Sequence, residues 1–340
     1  MDKLYARRKT ILQSERGKME FRTLSFPRFS AQSVCTRSGG QGRSEADIVM
    51  HLPVLLQEVV EALRVKSGET FLDCTAGSGG HTLAVAQATG GTITAIGIDE
   101  DEDALSRTHE RLQAAGIQAT LREQNFRELD KTLSDLGVAK VDAILFDLGV
   151  STDELLESGR GFSFSKDEPL LMTFRKNSEG RVTAREVVNE WKEENLALIL
   201  EGFGGERYAE RIARAIVEAR VQAPIETSKT LADIVSAVVP RSGRTHPATK
   251  TFQAIRMAVN DELPALEEGL RKGLASLKSG GRMAVISFHS GEDRIVKRFF
   301  KEEEKSEGGT ASKKPIVPSR EEVQGNPRSR SAKLRIFIKK

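Results

Sequence analysis

Glu69-Thr-Phe-Leu-Asp-Cys-Thr-Ala-Gly-Ser-Gly-Gly-His81 decides the fold of this chain: a short apolar strand runs straight into a glycine-rich turn, and a helical pattern follows. In an open α/β sheet, ligands bind where strand ends open into such turns. Glycine serves there because the turn needs positive φ and the backbone must come close to the ligand. A second apolar run, Thr92-Ile-Thr-Ala-Ile-Gly-Ile98, delivers Asp99 to the same edge. An acidic residue at that place accepts hydrogen bonds from ribose hydroxyls. The local pattern points to a nucleoside-bearing ligand.

The order of residues narrows the ligand. A dinucleotide site requires G-x-G-x-x-G with a helix N-terminus facing pyrophosphate. Here the order is Asp73-x-x-x-Gly77-x-Gly79-Gly80-His81, with the acid just before the turn. A carboxylate there repels phosphate and suits a cationic or amine-bearing ligand. S-adenosylmethionine, with a sulfonium and an α-amine and no phosphate, meets that description. A dinucleotide site and an unliganded βα turn are the alternatives.

With 340 residues the chain is long enough for two domains and an ample core. Hydrophobic residues at 38% and charged residues at 30% describe a soluble, globular protein. No apolar run approaches the roughly 20 residues of a membrane span. A net charge of +3 is too small to argue for nucleic acid by itself, so local clusters carry that question. Two cysteines, Cys35 and Cys74, make no disulfide framework and suit a reducing, cytoplasmic setting.

Residues 1–49 are basic, rich in Ser, Arg and Gly, and without sustained periodicity. They read as a disordered, dispensable extension. Residues 50–152 read as the first part of a sheet domain, with strands at Thr70–Cys74, Thr92–Ile98, Ala119–Glu123 and Val141–Phe146 and helices between them. Strand–helix alternation implies a doubly wound, mostly parallel α/β sheet. Residues 153–244 lose strand signals and show amphipathic helices, as expected of an inserted all-helical domain. Residues 245–340 resume the sheet domain, with a helix at Ala265–Leu277, strands at Arg282–Phe288 and Leu334–Ile338, and a flexible loop over 301–325 to which Lys314–Val317 adds a possible pairing segment.

Seven strings then share one likeness: His51-Leu-Pro-Val-Leu-Leu-Gln-Glu58, Gly77-Ser-Gly-Gly-His81, Phe146-Asp-Leu-Gly-Val-Ser151, Arg160-Gly-Phe-Ser-Phe164, His246-Pro-Ala-Thr-Lys-Thr-Phe-Gln-Ala-Ile-Arg256, Ile286-Ser-Phe-His-Ser-Gly-Glu-Asp-Arg-Ile-Val-Lys297 and Asn326-Pro-Arg-Ser-Arg-Ser-Ala-Lys-Leu-Arg335. In this order they resemble the bacterial small-subunit ribosomal RNA cytosine-N4 methyltransferases, the RsmH or MraW family. The resemblance implies a Rossmann-like S-adenosylmethionine-dependent methyltransferase fold with one antiparallel strand at the end of the sheet. It implies an RNA-binding enzyme of rRNA processing. The partner it implies is small-subunit ribosomal RNA or the assembling small ribosomal subunit; a homodimer is a further possibility. No metal is implied. Cofactor contacts carry over to Gly79, Gly80, His81, Asp99, Phe126, Asp147 and, where the family has Gln, to Glu154.

Cytosine N4 is a poor nucleophile because its lone pair is delocalised into the ring, so an acceptor for its hydrogens aids attack and proton loss. Asp147, at the end of the fourth strand, is the candidate, with orientation of the cofactor as its other possible role. His289, just past a strand at the same edge, is the second candidate catalytic residue. Basic clusters around Arg207, Arg241, Arg294 and Arg328 suit contact with a phosphate backbone. One departure stands out. Asp167-Glu-Pro-Leu-Leu-Met-Thr-Phe174 replaces the family's Asp-Gly-Pro-Leu-Asp-Met-Arg-Met. It leaves open another RNA or DNA amine as target, or a catalytically weakened ribosome-assembly protein that binds RNA.

Overall fold

The first half of the chain alternates strand and helix because its apolar runs are short and most of them end at a glycine or an aspartate. A computed structural model describes residues 53–150, 158–178, 180–241, 245–306 and 308–340. The 1–49 extension and Glu154 lie outside the described residues. In chain order the elements begin α1 (Leu56–Leu63), β1 (Thr70–Asp73), α2 (Gly80–Ala88), β2 (Thr94–Asp99), α3 (Glu102–Ala114), β3 (Ala119–Glu123), α4 (Leu129–Asp135) and β4 (Val141–Asp147). Helices α5 (Ala184–Glu190), α6 (Glu193–Gly202), α7 (Ala209–Gln222), α8 (Ser228–Val238), α9 (Thr249–Asn260) and α10 (Glu262–Ser276) follow with no intervening strand among the described residues. The chain closes with β5 (Leu277–Ser287), α11 (Ser290–Lys305), β6 (Gly309–Ala311), α12 (Arg320–Gly325) and β7 (Lys333–Lys339).

The seven strands form one sheet in the order β3-β2-β1-β4-β5-β7-β6. The first five run parallel, and β7 is antiparallel to both β5 and β6. The antiparallel strand is therefore next to last, and the short β6 forms the edge. Both sheet faces are covered. Phe71, Ala143, Leu145, Ala284 and Ile286 pack toward α1 and α2, while Leu72, Ile96, Ile144, Phe146 and Val285 pack toward the other helices. Successive strand residues point to opposite faces, so such strands read as unbroken apolar runs. The helices between β4 and β5 bury Trp191 completely and share a continuous core with the sheet, through Phe252, Ile255 and Val259 of α9.

Residues 301–325 are not one continuous loop. Helix α11 continues to Lys305, β6 follows, and α12 ends at Gly325. The polar run Lys301-Glu-Glu-Glu-Lys305 is made of good helix formers and extends the amphipathic α11 into solvent. Strand β6 forms where only glycine fits: a Cβ on Gly309 would stand 2.2 Å from the carbonyl oxygen of Ile338. Ile316 pairs with Leu334 as a single bridge.

Candidate active site

The strand order reverses between β1 and β4, and in open α/β sheets that switch point is where ligands sit. Pairing of Asp73 with Gly97 and with Leu145 brings the ends of β1, β2 and β4 level there. Asp73, Asp99 and Asp147 end these three strands. A cleft opens above them, walled by the glycine turn, Phe126, Phe174, Phe288 and Arg328.

The glycines divide the labour. Gly77 and Gly79 have φ of 52° and 76°. Gly77 faces the cleft and a Cβ there would meet only the Thr75 carbonyl oxygen, at 3.8 Å. Gly79 turns toward α3, where a Cβ would come 2.9 Å from Thr108. A Cβ on Gly80 would lie 2.3 Å from Pro53 Cγ. Gly80 lines the cleft, whereas Gly79 serves the packing of α2 behind it. Two amides of the turn are already engaged: Gly77 donates to Asp99 Oδ2 at 2.8 Å, and Gly79 donates to the Ala76 carbonyl at 2.8 Å. Those N–H groups would have to face a pyrophosphate in a dinucleotide site.

Each carboxylate is held differently. Asp73 is buried and accepts from Thr82 Oγ1 at 2.7 Å and the Thr75 amide at 3.2 Å. Burial pushes its carboxyl above the usual range despite those bonds and the nearby His81. Asp99 accepts the Gly77 amide through Oδ2 and the Asp101 amide through Oδ1 at 2.9 Å. Burial, with a smaller contribution from neighbouring Asp101 and Glu100, raises it to about 6. Asp147 donates its amide to Thr75 Oγ1 at 2.6 Å, its Oδ2 lies 3.3 Å from His81 Nε2, and its Oδ1 is buried without a hydrogen-bond partner. Burial lowers the pKa of His81, but contact with Asp147 and the charges of Asp73 and Glu322 outweigh it and leave the imidazole above its ordinary value.

Phe126 sits in a short 3-10 turn after β3, lines the cleft, and packs edge-on against Phe146 with ring centroids 5.6 Å apart. It is at once a packing residue and a wall residue. His289 is placed otherwise than expected beside an amine. It caps α11: its Nδ1 accepts the Gly291 amide at 3.2 Å and the Glu292 amide at 3.4 Å, and Glu292 bonds back to the His289 amide. Phe288 and Glu292, not His289, face the cleft. The polar cluster read from Ser287-Phe-His-Ser290 is a capping box with histidine in the serine role.

The structure adds a group that sequence reading missed. Arg160 is buried, pairs with Asp101 at 2.7 Å, and donates to the carbonyls of Thr173 (3.1 Å) and Phe174. Asn260 Oδ1 accepts the Phe174 amide at 2.9 Å, and the Phe174 ring stacks on Phe162. Phe174 is thus pinned on three sides and presented to the cleft. Arg175 and Lys176 add ion pairs to Glu100 (3.4 Å) and Asp103 (3.1 Å), so the departed loop is strapped to the end of β2. The strings Arg160-Gly-Phe and Thr173-Phe174 were the available signal, but nothing local ties either to Asp101.

The basic clusters separate as well. Arg335 is buried and, with Lys333, pairs with Asp293 at 2.7 and 3.1 Å. Arg298 pairs with Glu267 and Arg214 with Glu193. Among the described members of these clusters, Arg328 lines the cleft.

The sequence profile of the MraW methylase family matches residues 48–340. The chain is similar to the ribosomal RNA small subunit methyltransferase H of Symbiobacterium thermophilum, with 44% identity over 308 residues, 85% of this chain and 96% of that protein. It is similar to the protein of the same name from Heliobacterium mobile, with 43% identity over 309 residues, 85% of this chain and 98% of that one. A solved putative methyltransferase from Streptococcus mutans in complex with SAH is 14% identical, covering 84% of this chain and 95% of that one at a TM-score of 0.42.

Proposed function

The chain belongs to the MraW methylase family, and from that premise we propose that it methylates the N4 amine of a cytidine in small-subunit ribosomal RNA, with Asp147 as the group that meets the amine. S-adenosylmethionine, the cofactor, supplies the methyl group from a sulfonium and leaves as the neutral thioether. The donor set fits that molecule: the Gly77 and Gly79 amides are taken up by Asp99 and Ala76, and carboxylates line the cleft beside the turn. Such a wall attracts a sulfonium and an α-amine and repels phosphate. Gly77, Gly80 and Asp99 would hold the nucleoside end, with Phe126 against the base.

One observation carries the role of Asp147: its Oδ1 is a buried acceptor in the cleft wall with no protein partner. An orphaned buried acceptor costs about 1–3 kcal/mol, which an incoming donor recovers. An exocyclic amine is such a donor. By accepting one N4 hydrogen, Asp147 localises the nitrogen lone pair; once N4 has formed its bond to the methyl carbon, Oδ1 takes the displaced proton and passes it to solvent. The base must leave its stack to reach this point, and Arg328 stands at the cleft to meet its phosphate. The substrate puts the reaction in the compartment where small ribosomal subunits are assembled.

The test is nucleoside mass spectrometry of small-subunit RNA incubated with purified protein and cofactor, both as assembled subunits and as naked RNA. N4-methylcytidine in either sample supports the reading. Unmodified cytosine in both overturns the target, and a methyl group found on adenine or guanine names a different amine.

A further inference from the structure

We infer that His81 is a positioning residue for methyl transfer: it holds one oxygen of Asp147 so that the other faces the acceptor amine. The inference rests on the reaction proposed above. His81 is the second residue of α2, and that helix start is set by the left-handed Gly79 and by Gly80 against Pro53. The glycine turn that shapes the cofactor side of the cleft therefore also places an imidazole at Asp147, whose Oδ2 lies 3.3 Å from Nε2. From the other side, Thr75 Oγ1 accepts the Asp147 amide at 2.6 Å. Backbone and carboxylate are thus fixed by two residues of one turn.

The capping histidine, His289, has its Nδ1 satisfied by two helix amides, and its Nε2 alone, 3.2 Å from Glu292, lacks a hydrogen bond. His81 differs. Both its nitrogens are buried without an aligned hydrogen bond, although the ring is in contact with Asp147. Catalytic hydrogen bonds are often long or poorly aligned before ligands bind and tighten in the complex. The neighbouring acid Asp73 is not a competing partner, since its oxygens are engaged by Thr82 and Thr75. The charged groups around the ring are Asp147 from β4, Asp73 from β1 and Glu322 from α12, and all three favour a proton on the imidazole. Rotation of the ring onto Oδ2 directs the remaining lone pairs of Asp147, through Oδ1, into the cleft.

The test measures methyl transfer from radiolabelled cofactor to small ribosomal subunits for wild type, His81→Leu, His81→Gln and Asp147→Asn. Leucine removes the donor, and glutamine keeps one at the ε position. His81→Leu should lower kcat at saturating cofactor about 100-fold, the scale of a misplaced catalytic group, with the cofactor KM changed only a few-fold. His81→Gln should recover at least part of that loss. In the Asp147→Asn background, His81→Leu should cost little more, because residues acting as a unit are not additive. A rise in KM alone, or the same loss in both backgrounds, overturns the inference. Nitrogen NMR of the imidazole supplies a readout that needs no substrate: Asp147→Asn should lower the titration midpoint of His81. An unchanged midpoint refutes the pair even if a variant fails to fold. If wild type transfers no methyl group while the midpoint moves, the substrate reading fails and the pair stands.

Discussion

Replacing Arg160 by Met should cost this protein about 3–5 kcal/mol, because it breaks a buried ion pair and leaves a carboxylate behind. The guanidinium and carboxylate of Arg160 and Asp101 are 7% and 2% exposed and 2.7 Å apart, so neither can turn to solvent. Methionine fills much of the volume but strands the Asp101 charge and two carbonyls, at Thr173 and Phe174. Asp101 Oδ1 would keep its bond to the Asp103 amide at 3.0 Å, so the cap of α3 survives and the loss belongs to the pair. Asp101→Asn preserves that cap, since asparagine and aspartate serve equally well there, while leaving Arg160 charged and buried. The double variant removes both charges and should be less damaged than the sum of the singles, by about 1–3 kcal/mol. Guanidinium denaturation at constant m-value measures each change. Calorimetry with S-adenosylmethionine provides a second reading, because freeing Phe174 from its straps should weaken binding as well. A loss below about 1 kcal/mol for Arg160→Met, or strict additivity of the two substitutions, would refute the reasoning.

Asp99→Ala should weaken cofactor binding by about 1–3 kcal/mol, the cost of unpaired polar groups, and calorimetry will read it. Burial and like-charged neighbours hold Asp99 near a pKa of about 6 in the free protein. Protonation below that value removes acceptor capacity, so affinity should fall as pH drops through about 6. The folding linkage has the opposite sign: a carboxyl raised above its unfolded value contributes most stability at low pH and loses it as pH rises toward about 6. Gly80→Ala must push its Cβ into Pro53, 2.3 Å away, and should lower the melting temperature, whereas Ser78→Ala in the same turn, which gives up only a 3.4 Å bond from Arg111, should lower it far less. RNA binding should weaken steeply with salt, and Arg328→Ala should reduce the slope of log affinity against log salt by about one; an unchanged slope in filter binding would remove Arg328 from the phosphate contacts.

Local chemistry made the nucleotide-type turn, the five parallel strands and Asp99 and Asp147 legible in the sequence. A strand buried on both faces must be apolar throughout, and a turn at positive φ must be glycine, whatever the rest of the chain does. The same local logic explains where His289 sits. Its spacing to Glu292 is that of a helix cap, and the polar residues read as a pocket were satisfying the first amides of α11. For the 301–325 segment, polar composition spoke for a loop, while helix propensity and one close glycine contact made it structure.

What tertiary structure alone decided are the pairings between residues distant in the chain. Arg160 finds Asp101 across 59 positions, Phe174 is pinned by Asn260 across 86, and Arg335 is neutralised by Asp293 across 42. Any of these side chains could equally have faced solvent by composition. The contact between His81 and Asp147 is of the same kind: each residue was readable as a cofactor contact, but the 3.3 Å between them comes from the parallel pairing of β1 with β4. A sequence specifies which residues prefer to be buried or turned. Which charge a buried charge meets depends on strand register and helix docking, and those are set by the packing of the whole core.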